Sequence, residues 1–385
     1  MKQFVSHMLW VGLITGATSA YAQPVPKISS NQYNPAMSLI INGKYSQFSN
    51  DPDNYTIAGF ALGEETGPGE EGFNLGESEL TITANIDDLF YGSFTAALTA
   101  EDEVEVEEAY IETLGLGSGF TIKAGRFFSG IGYLNQHHAH SWDFVDQPLV
   151  YKAILGNQLG DDGVQVRWLA PTDFFLEFGV EAYRGDSFPA GNAANSGKGT
   201  STVFFHTGAD INVSHSWQAG MSFINAEAEA RETGSPAESF TGDSRITAVD
   251  FVWKWAPQGN PKQTNFKLQL EYFLRQEEGT YQSNNYDADQ QGYYVQTVYQ
   301  YMPKWRVGLR YDALSADDPG VAFNGTALDT QGHDPERWSA MVDWSRTEFS
   351  RLRFQYSRDD ASPDSDNQFY LQYFMSLGAH GAHRF

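Results

Sequence analysis

The sequence predicts an all-β protein, a transmembrane antiparallel β-barrel of about 16 strands. Three observations favour a barrel over a soluble β-sandwich. Apolar and polar residues alternate along segments of roughly ten residues, the length at which a tilted strand crosses a bilayer. Trp and Tyr lie near the ends of these segments, where membrane proteins place an interfacial aromatic belt. The connections are short and long in turn, which is typical of membrane barrels.

The alternation is clearest in the second half of the chain. In "NFKLQLEYFLRQ" one face is apolar, with Phe273 as the exception on the other face. The same period of two recurs in "KWRVGLRYD", in "SRLRFQYSR" and across residues 368–375. A period of two indicates strands with one apolar and one polar face.

Applied along the chain, this pattern predicts strands at 37–48, 74–86, 89–98, 104–114, 119–128, 161–169, 174–184, 200–211, 216–226, 242–255, 263–275, 290–302, 304–313, 335–345, 348–358 and 367–385. A count of 14 or 18 strands remains open. The long polar connections, expected on the external side, are 49–73, 129–160, 185–199, 227–241, 278–289, 314–334 and 359–366. Both termini are then expected on the periplasmic side, and the chain ends on Phe385.

The first 22 residues are predicted to be a secretory signal peptide. Lys2 precedes a short apolar stretch, and Ala20 and Ala22 form a small-residue cleavage site. Cleavage after Ala22 leaves 385 − 22 = 363 residues, which we expect to form a single barrel domain over 23–385. This predicts export to the bacterial outer membrane.

Composition excludes several classes of function. The chain has no Cys, so disulfides and thiolate metal sites are excluded. The formal net charge is −25, or −26 without Lys2, and so acidic a chain is a poor partner for nucleic acid. An aromatic content of 15% argues against disorder.

Several stretches resemble a known family of membrane channels. The run "ELTITANIDDLFYGSFTAAL", followed by "VEVEEAYIETL" and "GFTIKAGRFFSGIG", resembles the early strands of the Gram-negative phosphate-selective porin superfamily. "HSWDFVDQPLVY", "GDDGVQVRWLAPTD" and "SLGAHGAHRF" resemble a narrower group labelled zinc-regulated TonB-dependent outer-membrane receptors. TonB-dependent receptors carry a plug domain, whereas only 23–36 precede the first predicted strand, so we expect no plug.

The resemblance implies that the third external loop, 129–160, folds inward and narrows a pore. Gly130 and Gly132 are suited to the turn that takes it inward. The loop contains "NQHHAHSWDFVDQP", whose imidazole and carboxylate groups suit zinc. We therefore expect a low-affinity zinc site formed by His137, His138, His140 and Asp143. The alternative is a polar loop whose histidines are solvated or bonded to neighbours.

A second histidine pair, His380 and His383, lies near the end of the chain. Their odd separation puts them on opposite faces of a regular strand, which disfavours joint metal binding. A bulge at Gly381 would bring them together. A second metal site there is the weaker hypothesis.

Charged residues are expected to line the pore with opposite signs on two sides. The acidic set is Glu103, Glu105 and Glu107. The basic wall, on the polar face of the late strands, is Lys267, Arg275, Arg306, Arg310, Arg351 and Arg353. General porins place such a wall opposite an acidic third loop, so a transverse field is expected. Because the mouth is acidic, we expect a weak preference for cations.

These features predict a porin-like channel for small hydrophilic solutes or ions, with a possible link to uptake of zinc or another divalent metal. The alternative is a closed-pore receptor or adhesin that binds ligand through its external loops. No enzyme activity is expected. "HSWD" offers His140, Ser141 and Asp143 locally, but catalytic members normally come together from separate segments, and the sequence has no Gly-x-Ser-x-Gly turn. No cofactor is required, although Zn²⁺ could be bound or transported. Expected partners are outer-membrane lipid, lipopolysaccharide, solutes or metal ions, the barrel assembly machinery and a homotrimer.

Overall fold

The computed structural model describes residues 35–63, 66–99, 103–191, 199–234 and 236–378. The predicted signal peptide, His380, His383 and Phe385 lie outside the described residues. Strands dominate this part of the chain: β1 (Ala36–Gln47), β2 (Gly72–Leu75), β3 (Ser78–Asn85), β4 (Phe90–Leu98), β5 (Val104–Thr113), β6 (Phe120–Phe128), β7 (Gly160–Leu169), β8 (Phe175–Tyr183), β9 (Thr200–Asn212), β10 (His215–Thr233), β11 (Glu238–Trp255), β12 (Asn265–Tyr281), β13 (Asn284–Met302), β14 (Trp305–Ala316), β15 (Glu336–Thr347), β16 (Ser350–Asp360) and β17 (Asp366–Gly378).

The strands form one closed antiparallel barrel. From β3 to β17 each strand pairs with its neighbours in sequence, and β1 closes the sheet by pairing with β17. Strands β2 and β3 both pair with β1, on either side of an interruption at Gly76 and Glu77. They therefore act as one strand, and the 17 named strands make a barrel of 16. The predicted fold class and strand number are confirmed.

The four strands β10 to β13 are longer than predicted, at 17 to 19 residues each. The predicted loops 227–241 and 278–289 were wrong, because most of each is strand and the remaining links are 234–237 and 282–283. At about 3.3 Å per residue, a strand of this length extends well beyond an apolar band roughly 25 Å tall. Its outer face is polar beyond the band, so the apolar alternation stops while the strand continues.

The two faces of the barrel differ as the alternation predicts. On β14, Leu309 points outward and is 60% exposed, whereas its neighbour Arg310 points inward and is buried. Phe273, the exception in the pattern, also points inward, with its ring 5.2 Å from that of Tyr151. Aromatic side chains cluster near the ends of strands on the outer face, as in the pair Trp305 and Trp344. This outer surface is suited to contact with lipid.

The apolar core lies inside the half of the barrel that carries the long loops. Its centre is the helix α1 (Leu149–Leu155), all of whose residues are buried. Ile57 and Phe60 of the first loop pack with it. Short 3-10 helices are found at Pro52–Asn54, Ala139–Ser141, Pro257–Gly259 and Val321–Phe323. Within the described ranges, no helix is long and apolar enough to cross a membrane.

Candidate functional site

The segment between β6 and β7, residues 129–159, is here called the inward loop because it runs into the barrel interior. Its first turn is held by side chains of β8 and β10. Gly130 N donates to Glu181 Oε1 at 2.9 Å, and Gly132 N donates to Ser222 Oγ at 3.2 Å. Gly132 has a positive φ of 57°, and a Cβ there would collide with the Glu271 carboxylate. The turn therefore requires glycine at this position.

Glu271 of β12 anchors both the start of the inward loop and helix α1. Its carboxylate accepts hydrogen bonds from Tyr133 N at 3.0 Å and Leu134 N at 3.1 Å. It also accepts from Tyr151 Oη at 2.8 Å and Tyr294 Oη at 2.5 Å. Four donors satisfy a carboxylate that is fully buried. The inward course of the loop, which the resemblance implied, therefore depends on a side chain of β12.

The two aspartates of the inward loop bind the basic wall directly. Asp143 forms ion pairs with Lys267 and with Arg306, the latter at 3.0 Å. Burial alone would raise the pKa of Asp143, but the charges of Lys267 and Arg306 hold this pKa well below its usual value. Asp143 was expected beside the histidines as a zinc ligand. The structure does not bring Asp143 to the histidines, because Lys267 and Arg306 bind its carboxylate.

Asp146 makes the corresponding contacts three residues further along the loop. It pairs with Arg310 at 2.9 Å and with Arg337 at 2.6 Å. Burial alone would raise the pKa of Asp146, but the two guanidinium groups lower it well below the usual value. The inward loop is thus held to β14 and β15 by charge-assisted hydrogen bonds.

Ion pairs with carboxylates offset several charges of the basic wall, while the transverse field itself stays a prediction. Arg310 and Arg353 are almost fully buried, whereas the side chains of Lys267 and Arg306 are 21% and 23% exposed. Arg275 lies apart from the others, buried against Gln290 and near Glu277. Lys267 pairs with Asp143, Arg306 with Asp143 and Asp343, Arg310 with Asp146 and Asp312, and Arg353 with Asp343. Arg351 instead bonds a carbonyl of the inward loop.

Two further arginines of the wall hold the loop by its backbone. Arg351 Nη2 donates to the His140 carbonyl at 2.7 Å, and Arg353 Nη2 donates to the Trp142 carbonyl at 2.8 Å. These bonds keep the segment that carries the histidines between β16 on one side and β3 on the other.

The histidines face an acidic surface formed by β3 and β5. His138 Nδ1 is 3.3 Å from both Glu79 Oε2 and Glu107 Oε2, and its Nε2 is 3.0 Å from Glu108 Oε2. His140 Nδ1 is 2.7 Å from Glu79 Oε1. We call these five residues the acid–histidine cluster. Burial alone would lower the pKa of His138, but hydrogen bonds to Glu107 and Glu108 and the charge of Glu79 raise it well above its usual value.

Sequence reasoning found three of the five members and missed Glu79 and Glu108. The pairing of β4 with β5 shifts register between Thr95 and Ala96, so that Glu107 is an extra residue on β5. The consecutive residues Glu107 and Glu108 therefore both reach His138. A strict alternation assigns neighbouring residues to opposite faces, so it could not anticipate this pair.

The remaining predicted residues lie outside the cluster. The His137 ring packs 4.9 Å from that of Tyr133, and its carbonyl accepts from Trp142 Nε1 at 2.6 Å. Glu103 and Glu105 are exposed at the end of β5 that carries the long loops. They lie at the mouth, and their lining of a pore stays a prediction.

A cavity of about 610 Å³ lies on the other side of the inward loop, at the end with the short turns. Its wall includes polar and apolar residues of β1, β13 and β17. Its basic lining comprises His140, Lys262, Lys304, Arg306 and Arg351. The inward loop thus separates an acidic mouth from a basic vestibule.

Comparison with known proteins gives one relative and a set of shared folds. No protein-family model matches the chain. The chain is 32% identical over 339 residues to an uncharacterized protein of Aquifex aeolicus (strain VF5), covering 82% of this chain and 71% of that protein. It belongs to the same family as that protein.

Solved outer-membrane proteins share the fold at low sequence identity. A loop L8 deletion mutant of OmpT, an outer membrane protein of Vibrio cholerae, has a TM-score of 0.56 at 13% identity, covering 89% of this chain and 99% of that one. An anion-selective porin from Comamonas acidovorans has a TM-score of 0.56 at 10% identity, with the same coverage. The outer membrane channel DcaP of Acinetobacter baumannii has a TM-score of 0.53 at 14% identity, covering 89% and 97%. The barrel is therefore of the outer-membrane type, and no comparison supports the narrower likeness to zinc-regulated receptors.

Proposed function

We propose that this protein is a porin-like channel of the bacterial outer membrane that passes small hydrophilic solutes or ions. The observation that carries the proposal is the inward loop, which crosses a closed barrel with a polar interior above a cavity of about 610 Å³. The fold shared with a porin from Comamonas acidovorans and with the channel DcaP supports it.

The proposed route passes between the acid–histidine cluster and the accessible part of the basic wall. His138 and His140 keep 18% and 17% of their side chains exposed, comparable with Lys267 and Arg306 on the other side. Three carboxylates on the cluster side face Lys267 and Arg306, each paired with an aspartate, and Arg351, which is also partly exposed. A solute on this route would meet net negative charge, so weak cation preference is the expected selectivity.

The second candidate is a closed-pore receptor or adhesin, and the packing of the outer half of the barrel favours it. Residues of the first long loop and of the loop between β14 and β15, including Phe60, Phe323 and Leu328, are buried inside or against the barrel. A ligand would then bind the outer loops without crossing. The channel is preferred because the vestibule has no role in a sealed receptor.

The proposal includes the setting expected for an outer-membrane barrel. The signal peptide is removed after Ala22, the barrel assembly machinery inserts the chain, and the outer face contacts lipid and lipopolysaccharide. A homotrimer is part of the proposal, since one solved form of the Vibrio cholerae OmpT is described as a trimer.

No catalytic step is proposed. Ser141 Oγ donates to the His138 carbonyl at 2.7 Å, while the His140 ring bonds Glu79. The local Ser and His are thus engaged with other partners and do not form a nucleophile and base pair.

Liposome swelling tests channel against sealed receptor. Liposomes containing the folded protein should swell in an isotonic solution of a small sugar, faster than protein-free liposomes and progressively slower with larger sugars. Folded protein that gives no swelling with any sugar would favour the receptor. The conservative variant Asp53→Asn, on the exposed first loop, should swell at the wild-type rate.

A further inference from the structure

We propose that the acid–histidine cluster is a binding site for a divalent transition metal such as Zn²⁺, with His138, Glu79 and Glu107 as the ligands. This assigns different ligands from the four residues that the local sequence suggested. A bound ion would displace the proton that the carboxylates otherwise hold on His138. The resulting neutral imidazole nitrogen with two carboxylate oxygens is a donor set that suits zinc better than Mg²⁺ or Ca²⁺.

The spacing of the donor atoms fits a tetrahedral ion. His138 Nδ1 lies 3.3 Å from Glu79 Oε2 and 3.3 Å from Glu107 Oε2, and the three atoms all lie within 4.8 Å of one another. Bonds of about 2.0–2.2 Å to a tetrahedral zinc ion place its ligand atoms roughly 3.3–3.6 Å apart. An ion can therefore reach the three donors with small side-chain adjustments.

A buried oxygen without a hydrogen bond points to the same place. Glu79 is 1% exposed, and its Oε2 accepts no hydrogen bond from any described residue. Its other oxygen is occupied by His140 Nδ1. This oxygen lies 3.3 Å from His138 Nδ1 as an ion pair, and a cation coordinated between the two would supply the direct bond that it lacks.

The surrounding residues would orient these ligands. His138 Nε2 lies 3.0 Å from Glu108 Oε2, so the imidazole can donate there while Nδ1 faces the ion. A carboxylate bonded to the second nitrogen of a metal-binding histidine fixes its tautomer and ring orientation. His140 Nδ1 bonds Oε1 of Glu79 and so fixes the orientation of that carboxylate. The cluster thus has supporting contacts as well as donors.

Because the ligands come from three parts of the chain, a bound ion would connect these parts. Glu79 lies on β3, Glu107 on β5 and His138 on the inward loop. A bound ion would tie the inward loop to the acidic wall, opposite its attachment to the basic wall. Any effect of the ion on permeation rests on the proposed channel function, whereas binding itself does not.

Calorimetric titration of the purified, detergent-folded protein with Zn²⁺ tests the site. The wild type should bind one ion saturably, and Mg²⁺ at equal concentration should give no comparable binding. His138→Ala and Glu107→Gln should each weaken zinc binding at least tenfold, and Glu108→Gln by about tenfold. His333→Ala, which removes a histidine of the loop between β14 and β15 that bonds the Asp360 carbonyl, should leave the affinity unchanged.

Wild-type protein without saturable zinc binding would overturn the site, as would unchanged affinity in Glu107→Gln. Each variant is first checked for a folded barrel by its altered gel mobility on heating. If His138→Ala does not fold, Glu107→Gln decides, since it keeps the side-chain shape. Swelling of the same samples separates the two proposals: loss of zinc binding with normal swelling removes the metal site alone, and absent swelling with normal zinc binding removes the channel alone.

Discussion

Asp146 Oδ2 accepts a hydrogen bond from Arg337 Nη1 at 2.6 Å, joining the inward loop to β15 across 191 residues of sequence. Arg310 bonds the other oxygen of the same carboxylate at 2.9 Å. Both arginines are almost completely buried, so this carboxylate offsets charge that water cannot reach. The position of the inward loop depends on this contact more than on any exposed pair.

Asp146→Asn should loosen the inward loop and destabilise the barrel. Removing one partner of a buried ion pair leaves the other charge uncompensated, which costs about 3–5 kcal/mol. We expect lower thermal stability by circular dichroism and larger, noisier single-channel conductance. Asp53→Asn, an exposed change of the same chemistry, should match the wild type. Equal stability of the two variants would show that the pair does not hold the loop.

The docking of the loop should survive mild acid. The pKa values of Asp143 and Asp146 are lowered in the folded protein relative to about 3.9 in an unfolded chain. A lowered folded pKa contributes stability that is fully present above the unfolded pKa and is lost as pH falls toward the folded pKa. The stability difference between wild type and Asp146→Asn should therefore be constant from pH 7 to 5 and shrink below about pH 3.9. A difference that disappears already near pH 6 would contradict this assignment.

Tyr151→Phe should cost about 1 kcal/mol, because it removes one donor to the buried Glu271 carboxylate. Urea unfolding in lipid vesicles measures the change. Tyr272→Phe is the matched control. Tyr272 follows Glu271 on β12, and its hydroxyl donates to Gln291 Oε1 at 2.6 Å on the outer face. The control should change stability by less than about 0.5 kcal/mol. Equal effects of the two changes would remove the special role of Glu271 as anchor.

The outer face of β14 should tolerate charge only near the long-loop end. Leu309→Arg places a cation in the middle of the apolar face and should destabilise insertion by about 2–4 kcal/mol. Ser315→Arg, on the same face near the end of the strand, should cost about 0–1 kcal/mol. Folding titrations into vesicles compare them. Indifference to Leu309→Arg would contradict a lipid-facing position.

The alternation of residues predicted the fold closely, because a period of two determines which side chains face inward once one face is apolar. Lys267, Arg306 and Arg353 were identified as interior residues on that basis alone. Strand length was underestimated at β10 to β13, because outward residues beyond the bilayer are polar and the apolar signal ends there.

The site was only partly predictable, because its contacts join segments far apart in sequence. His138 and His140 were recognised as a local pair, but their partners Glu79 and Glu108 are brought in by closure of the barrel and by the irregular pairing of β4 with β5. Asp143 is close to the histidines in sequence, yet the two cations across the barrel bind it. Local spacing carries no information about such long-range pairing.

Single-channel recording in planar bilayers tests the central claim, a porin-like channel narrowed by a docked inward loop, most directly. The folded wild type should give discrete conductance steps, with reversal potentials in a salt gradient that show weak cation preference, and Asp146→Asn should give larger steps. Folded protein without conductance steps, or with strong selectivity for chloride or phosphate, would contradict it.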